Sequence, residues 1–175
     1  MSDVRKGEVT MKGNAVDLAG PRLKAGDAAP DFKTVDEGLK FMTLADTQGV
    51  RLFSVVPSLD TPVCNIQTKR FATELNALGD KVTAYTVSVD LPFAMKRFCG
   101  ESQISCLKNL SDTHNHSFGK HFGVLITSLP IPLLARAIFV VDAGGKITHA
   151  EYVPEIATEP NYEDAIKAIK AAIGS

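Results

Sequence analysis

The sequence predicts an α/β fold, a mixed β-sheet flanked by helices on both faces, and three observations lead there. RLFSVVP (51–57) and KVTAYTVSVD (81–90) are short, nearly unbroken apolar runs, the pattern of strands buried on both faces. Other segments space their apolar residues as one face of a helix requires. The order is strand–helix–strand–helix, then strand–strand–helix, which suits a sheet with both parallel and antiparallel neighbours.

The elements follow in order. EVTMKGNAVDL sets Lys12-Gly13-Asn14 between two alternating runs, which reads as a β-hairpin over residues 1–20 added to the main domain. PRLKAGDAAPDF carries turn residues and leads into the core at Phe32. After the strand at 51–57, residues 64–78 place Cys64, Phe71, Leu75 and Leu78 on one helical stripe, closed by Gly79. The second strand spans 81–90, and LPFAMKRFCGE (91–101) is a short helix that begins after Asp90 and breaks near Gly100. CLKNLSD, starting at Cys106, is a further strand. ARAIFVVDAGGKITHAEYV gives two strands around a turn at residues 142–145, the second less apolar and so nearer an edge. In NYEDAIKAIKAAI, Asn161 caps a helix with Ile166, Ile169 and Ile173 on one stripe. The whole is the arrangement of a thioredoxin-like domain, expected as one unit over residues 1–175.

Composition narrows the function. The chain has 175 residues, 45% hydrophobic and 22% charged, with a formal net charge of −1. Its basic clusters, Lys69-Arg70 and Lys96-Arg97, are short and read as solvated helix faces, so no nucleic-acid surface is expected. The longest apolar stretches, such as AIFVV at 137–141, are too short to span a bilayer. MSDVRKGEVTMKGNAV has no apolar segment of the kind that directs secretion, so a cytoplasmic location is expected. Three cysteines are too few for a disulfide scaffold, and in a reducing cytosol a pair would be redox-active.

One of them stands in a telling frame, Thr61-Pro62-Val63-Cys64. With Thr61 as N-cap, Pro62 takes the first helical position, where its missing N–H costs nothing and its fixed φ suits a helix. Cys64 then lies in the first turn, among N–H groups that lack an intrahelical partner and at the positive end of the helix dipole. Such a site favours a thiolate. The competing reading is a buried structural cysteine, which the cap and proline disfavour. Ionisation alone raises the reactive fraction by about one order of magnitude near neutral pH. Fast chemistry also needs donors aimed at the charge that develops. The Thr61 hydroxyl, the Cys64 N–H and the Arg136 guanidinium are candidates, although an arginine beside an apolar run is more often paired to a carboxylate.

Cys99 lies on the second helix, where it either fills a helix–sheet interface or pairs with Cys64. Pairing requires Cα atoms within ~7 Å, which sequence does not show. Cys106 reads as structural. His114, His116 and His121 lack the matching ligand spacing of a metal site and read as solvated.

PSLDTPVC (57–64), VDLPFAMKRFCG (89–100), LLARAIFVVD (133–142) and TEPNYEDAI (158–166) together resemble the bacterial thiol peroxidases, which are atypical two-cysteine peroxiredoxins. The likeness runs from the hairpin to the last helix. It implies that Cys64 is the peroxidatic cysteine and Cys99 the resolving one. It also implies that Pro57 shields the thiolate, and that Thr61 and Arg136 position peroxide and activate the thiol. Hydrogen peroxide and organic hydroperoxides as substrates, thioredoxin as reductant and a homodimer follow from the same resemblance. No metal or organic cofactor is expected, because peroxide oxidises a thiol directly. Two rivals remain: a non-enzymatic redox sensor or binding module on the same fold, and a disulfide reductase, whose usual Cys-x-x-Cys would need a cysteine at Thr61.

Overall fold

The computed structural model describes residues 3–174; Met1, Ser2 and Ser175, the ends of the expected domain, lie outside the described residues. Strands β1 (Val4–Met11) and β2 (Asn14–Ala19) form the N-terminal hairpin, and β3 (Thr34–Val35) pairs with β4 (Phe41–Met42). Next come β5 (Val50–Val55), α1 (Pro62–Asn76), β6 (Val82–Ser88), α2 (Pro92–Ser102) and β7 (Leu107–Ser111). The chain continues through α3 (Ser117–His121), β8 (Leu125–Ile126), β9 (Leu133–Leu134), β10 (Ala137–Val141), β11 (Ile147–Tyr152) and α4 (Tyr162–Ile173).

The main sheet has seven strands in the order β11-β10-β5-β6-β7-β3-β4. Strands β5, β6 and β7 run parallel, and β10, β11, β3 and β4 join antiparallel, which is the expected mixed sheet. As its weaker apolar pattern suggested, β11 lies at an edge.

Alternation along the strands divides the core. Leu52, Ala84, Ile138 and Val140 pack against Phe71 and Leu75 of α1 and Ala165 and Ile169 of α4. Phe53, Val55, Val87 and Phe139 point the other way, toward Phe32 and Phe118 and Phe122 of the α3 segment. Phe118 and Phe122 stack with ring centroids 4.1 Å apart. Each such ring, fully buried, stabilises the fold by about 1.5–3 kcal/mol. This second face is completed by a four-stranded sheet, β1-β2-β8-β9.

The hairpin turns at Lys12 (φ 51) and Gly13 (φ 79), the two positive φ values of a type I′ turn. Its Val9, Val16 and Leu18 belong to the main core, so it is packed into the fold rather than merely appended. At Gly20 (φ +94) a side chain is barred, because a Cβ there would stand 1.9 Å from the Lys120 carbonyl oxygen.

Several boundaries differ from expectation. Helix α1 ends at Asn76, and Gly79 (φ 54) opens a separate 3-10 turn. Helix α2 runs through Gly100 to Ser102 and stops where Gln103 turns left-handed. Strand β5 ends at Val55, which leaves Val56 and Pro57 to lead into the α1 start. On α4 the buried stripe is Tyr162, Ala165, Ile169 and Ala172, and Ile166 and Ile173 are only partly buried. The two-residue strands and five-residue α3 are too short to leave a periodic signal in sequence.

Candidate active site

Thr61 is the N-cap of α1, in extended conformation, with Pro62 in the first turn. Its carbonyl accepts the Asn65 N–H at 3.1 Å, the first intrahelical bond. Its hydroxyl makes no cap bond to the backbone. Instead it lies 2.6 Å from Cys64 Sγ and 3.1 Å from the Ser58 carbonyl oxygen. A hydroxyl has one proton, so it can donate to Ser58 while accepting from a thiol, or rotate to donate to a thiolate. Cys64 is fully buried.

Arg136 lies just before β10 and is 2% exposed. It has no carboxylate partner among the described residues, contrary to the ion pair that its sequence setting suggested. Its Nη2 points to Cys64 Sγ at 3.3 Å, its Nη1 donates to Gln67 Oε1 at 2.7 Å, and its Nε donates to the Ile156 carbonyl at 2.8 Å. Gln67, also buried, donates in turn to Ser54 Oγ of β5 at 2.8 Å. Sequence reading missed Gln67. Its signal was a polar residue one turn after Cys64 on the face that carries Phe71 and Leu75, where Thr68 is buried as well.

The strap that meets Arg136 is braced by the N-terminal hairpin. Thr10 N–H donates to the Pro154 carbonyl at 2.7 Å, and Ile156 N–H donates to the Thr10 carbonyl at 2.8 Å. The Glu155 carboxylate accepts from the Ala157, Gly13 and Lys12 N–H groups and from the Thr10 hydroxyl. Those donors, Ala157 first, hold its carboxyl down at about 2.

Pro57 is buried at the end of the run from β5 and opens the loop to Thr61. Asp90 fastens that loop to the end of β6. Its carboxylate accepts from Ser58 Oγ at 2.7 Å, from Leu59 N–H at 2.8 Å and from Ser88 Oγ at 2.8 Å.

Cys99 of α2 is 8% exposed and shares an apolar cluster with Cys64, Val56, Leu59, Met95 and Phe98. Its helix–sheet setting and its nearness to the Cys64 cluster therefore coincide. All three cysteines are free thiols. Burial pushes the Cys99 thiol up, opposed by a hydrogen bond from Asn109. Cys106 is exposed, just before β7, with Sγ 3.5 Å from the Ala72 carbonyl oxygen; it fills no core space, which corrects the structural reading. His114 and His121 are exposed as expected, but His116 is half-buried, with Nδ1 buried and unpartnered. It is the left-handed residue that starts α3. Among the described residues no group of three or more His, Cys, Asp or Glu side chains could hold a metal ion. None of the described helices is long and apolar enough to cross a membrane.

Comparison with known proteins identifies the family. Residues 24–166 match the Redoxin family. The thiol peroxidase of Bacillus subtilis (strain 168) is 49% identical over 167 residues, covering 95% of this chain and 98% of its own. That of Clostridium acetobutylicum is 44% identical, covering 94% and 99%. The crystal structure of a peroxiredoxin-like protein from Aquifex aeolicus superposes with a TM-score of 0.87 at 39% identity, over 96% of this chain and 99% of that one. A thiol peroxidase from Chromobacterium violaceum shares the fold, with a TM-score of 0.84 at 20% identity over 93% and 95% of the two chains. The Thr61–Cys64–Arg136 cluster thus sits in a chain that belongs to the Redoxin family and, within it, to the thiol peroxidases.

Proposed function

We propose that the protein is a thiol-dependent peroxidase in which Cys64 attacks hydrogen peroxide or an organic hydroperoxide. The observation that carries this reading is Arg136. A buried cation without a carboxylate is costly by several kcal/mol, and among the described residues the one atom in its hydrogen-bond shell that can become an anion is Cys64 Sγ. The Arg136 guanidinium and the Thr61 hydroxyl converge on that sulfur, where they can also stabilise the polarised peroxide oxygens.

In the first step the thiolate sulfur forms an S–O bond as the O–O bond breaks. The sulfur supplies two electrons and becomes a sulfenic acid, while the distal oxygen leaves as water or alcohol after taking a proton. Cys99 then attacks the sulfenic sulfur, an S–S bond replaces the S–O bond, and water departs. The cluster shared by Cys64 and Cys99 supports this pairing. Thioredoxin restores both thiols by exchange, its own dithiol being oxidised. Pro57 closes the loop side of the pocket against solvent. No metal or organic cofactor enters the scheme.

The reading includes a cytoplasmic homodimer. Leu91 and Phe93, at the start of α2, and Ile131 are 59%, 67% and 61% exposed, an apolar presentation suited to a second copy. Sedimentation of the wild-type chain and of Phe93→Lys checks this: a monomer at micromolar concentration in both removes the dimer.

The test of function is peroxide consumption with thioredoxin, thioredoxin reductase and NADPH. The wild-type chain should turn over repeatedly, and Cys64→Ser should lose at least ~99% of the rate because serine is not appreciably ionised at neutral pH. A wild-type chain oxidised once without turnover would favour the redox-sensor reading.

A further inference from the structure

Cys99 has a polar neighbour that the scheme above does not use. Asn109 of β7 is 3% exposed, and its Nδ2 lies 3.1 Å from Cys99 Sγ. The same nitrogen donates to a Glu37 carboxylate oxygen and approaches the Met95 carbonyl of α2 at 3.4 Å. Both of those oxygens can only accept, so the end of the amide that they share with the sulfur is the NH2 end. The other end, Oδ1, is buried and unpartnered.

Glu37 lies in the turn between β3 and β4, outside both the catalytic loop and α2. Together with Asp36, Lys108 and Asn109 it lines a surface pocket of about 480 Å³ that also reaches Cys99. Cys99 thus has two surroundings, the apolar cluster that holds Cys64 and this polar pocket.

We propose that Asn109 is a positioning residue for the resolving step: fixed by Glu37, its amide holds the Cys99 sulfur and stabilises it as it becomes the attacking thiolate. This rests on the reading of Cys99 as the resolving thiol. A donor at the sulfur offsets part of the burial that opposes ionisation, whereas the Glu37 charge behind the amide works against it. Cys106 opposes ionisation as well, Asp36 and Lys108 share the pocket, and Cys64 shares the cluster. Glu37 therefore holds the amide in place while its charge restrains ionisation, so removing the donor and removing the charge have opposite signs. A purely structural contact would give the same sign for both.

A tenfold change in thiolate fraction is damped by lower intrinsic nucleophilicity to about a threefold or fourfold change in rate. The test uses the full chain with two readouts. Alkylation rate against pH, in a Cys64→Ser, Cys106→Ser background, reports the Cys99 midpoint. Because the chain has no tryptophan, quench-flow with mass spectrometry follows how Cys64 sulfenic acid divides between disulfide and sulfinic acid.

Asn109→Ala should raise the Cys99 midpoint, slow disulfide formation roughly threefold or more near neutral pH, and increase sulfinic acid, with the rate difference closing and then reversing as pH rises above both midpoints, where the more basic thiolate is the better nucleophile. Glu37→Gln, which keeps an acceptor for the amide, should move each readout the other way. Midpoints that move together, or not at all, overturn the proposal. Opposite shifts with a disulfide that maps to Cys106 instead would uphold the Asn109–Cys99 coupling and overturn the resolving assignment.

Discussion

Arg136 Nη2 stands 3.3 Å from Cys64 Sγ, and the other two guanidinium nitrogens end on the neutral oxygens of Gln67 and Ile156. A planar fork reaches all three at once. An ammonium on a flexible stem does not, even with the same charge. Arg136→Lys should therefore lower the second-order rate with peroxide by roughly tenfold to a thousandfold, about 1.4–4 kcal/mol of transition-state stabilisation. Rapid-mixing kinetics of the first oxidation checks it, and an unchanged rate would make Arg136 a structural residue only.

The Thr61 hydroxyl is the second donor at the sulfur. Thr61→Val keeps the branched shape and removes the proton, so we expect a loss of about a hundredfold to a thousandfold, the range for deleting one preorganised donor. Thr61→Ser should retain most of the rate. A loss in Thr61→Ser as large as that in Thr61→Val would mean that the methyl group, and hence packing, matters as much as the hydroxyl, and would overturn a donor-specific role.

Cys99→Ser should consume one equivalent of peroxide and then fail to recycle with thioredoxin. Excess peroxide should drive its Cys64 to sulfinic acid. In the wild-type chain, one equivalent should yield a Cys64–Cys99 link by mass mapping, with Cys106 still reduced. A dominant Cys64–Cys106 link would falsify the resolving role.

Asp112 offers a test of stability against pH. Its fully buried carboxyl is pushed up to about 6, by burial against the opposing pull of the Gly119 and Phe118 N–H groups, His116 and Lys120. Because the folded value lies above the unfolded one (~3.9), the native state holds the extra proton between them. This residue's contribution is therefore most favourable below ~4 and falls as pH rises through ~6, a change on the order of 3 kcal/mol. Asp112→Asn removes the proton exchange. The stability difference between wild type and variant should shift in favour of wild type as pH is lowered from 7 to 4. A difference that is flat over that range rules the mechanism out.

The helix start at Cys64 was legible because its signals are local. The extended Thr61, the Pro62 at the first helical position and the cysteine one turn in lie within four consecutive residues. The capping of α4 by Asn161, whose side chain accepts the Asp164 N–H, was local in the same way. The long strands β5, β6 and β10 also announced themselves, since burial on both faces demands unbroken apolar runs. The roles suggested for Cys99 and Pro57 came from resemblance, not from local chemistry.

Tertiary structure decided what each polar group faces. Arg136 and Cys64 are 72 residues apart, and nothing near Arg136 in sequence shows that its partners are a sulfur, an amide oxygen and a carbonyl in place of a carboxylate. Asn109 and Glu37 are likewise 72 positions apart, and Glu155 meets the hairpin across more than 140. Hydrophobic periodicity specifies which face of an element is buried, and cap residues specify where a helix begins. Neither specifies which distant side chain arrives opposite a given atom, because that depends on strand order and on how helices pack over the sheet. The helix start that carries Cys64 was therefore readable from the chain alone, and the donors that surround its sulfur became visible only once the sheet had brought them together.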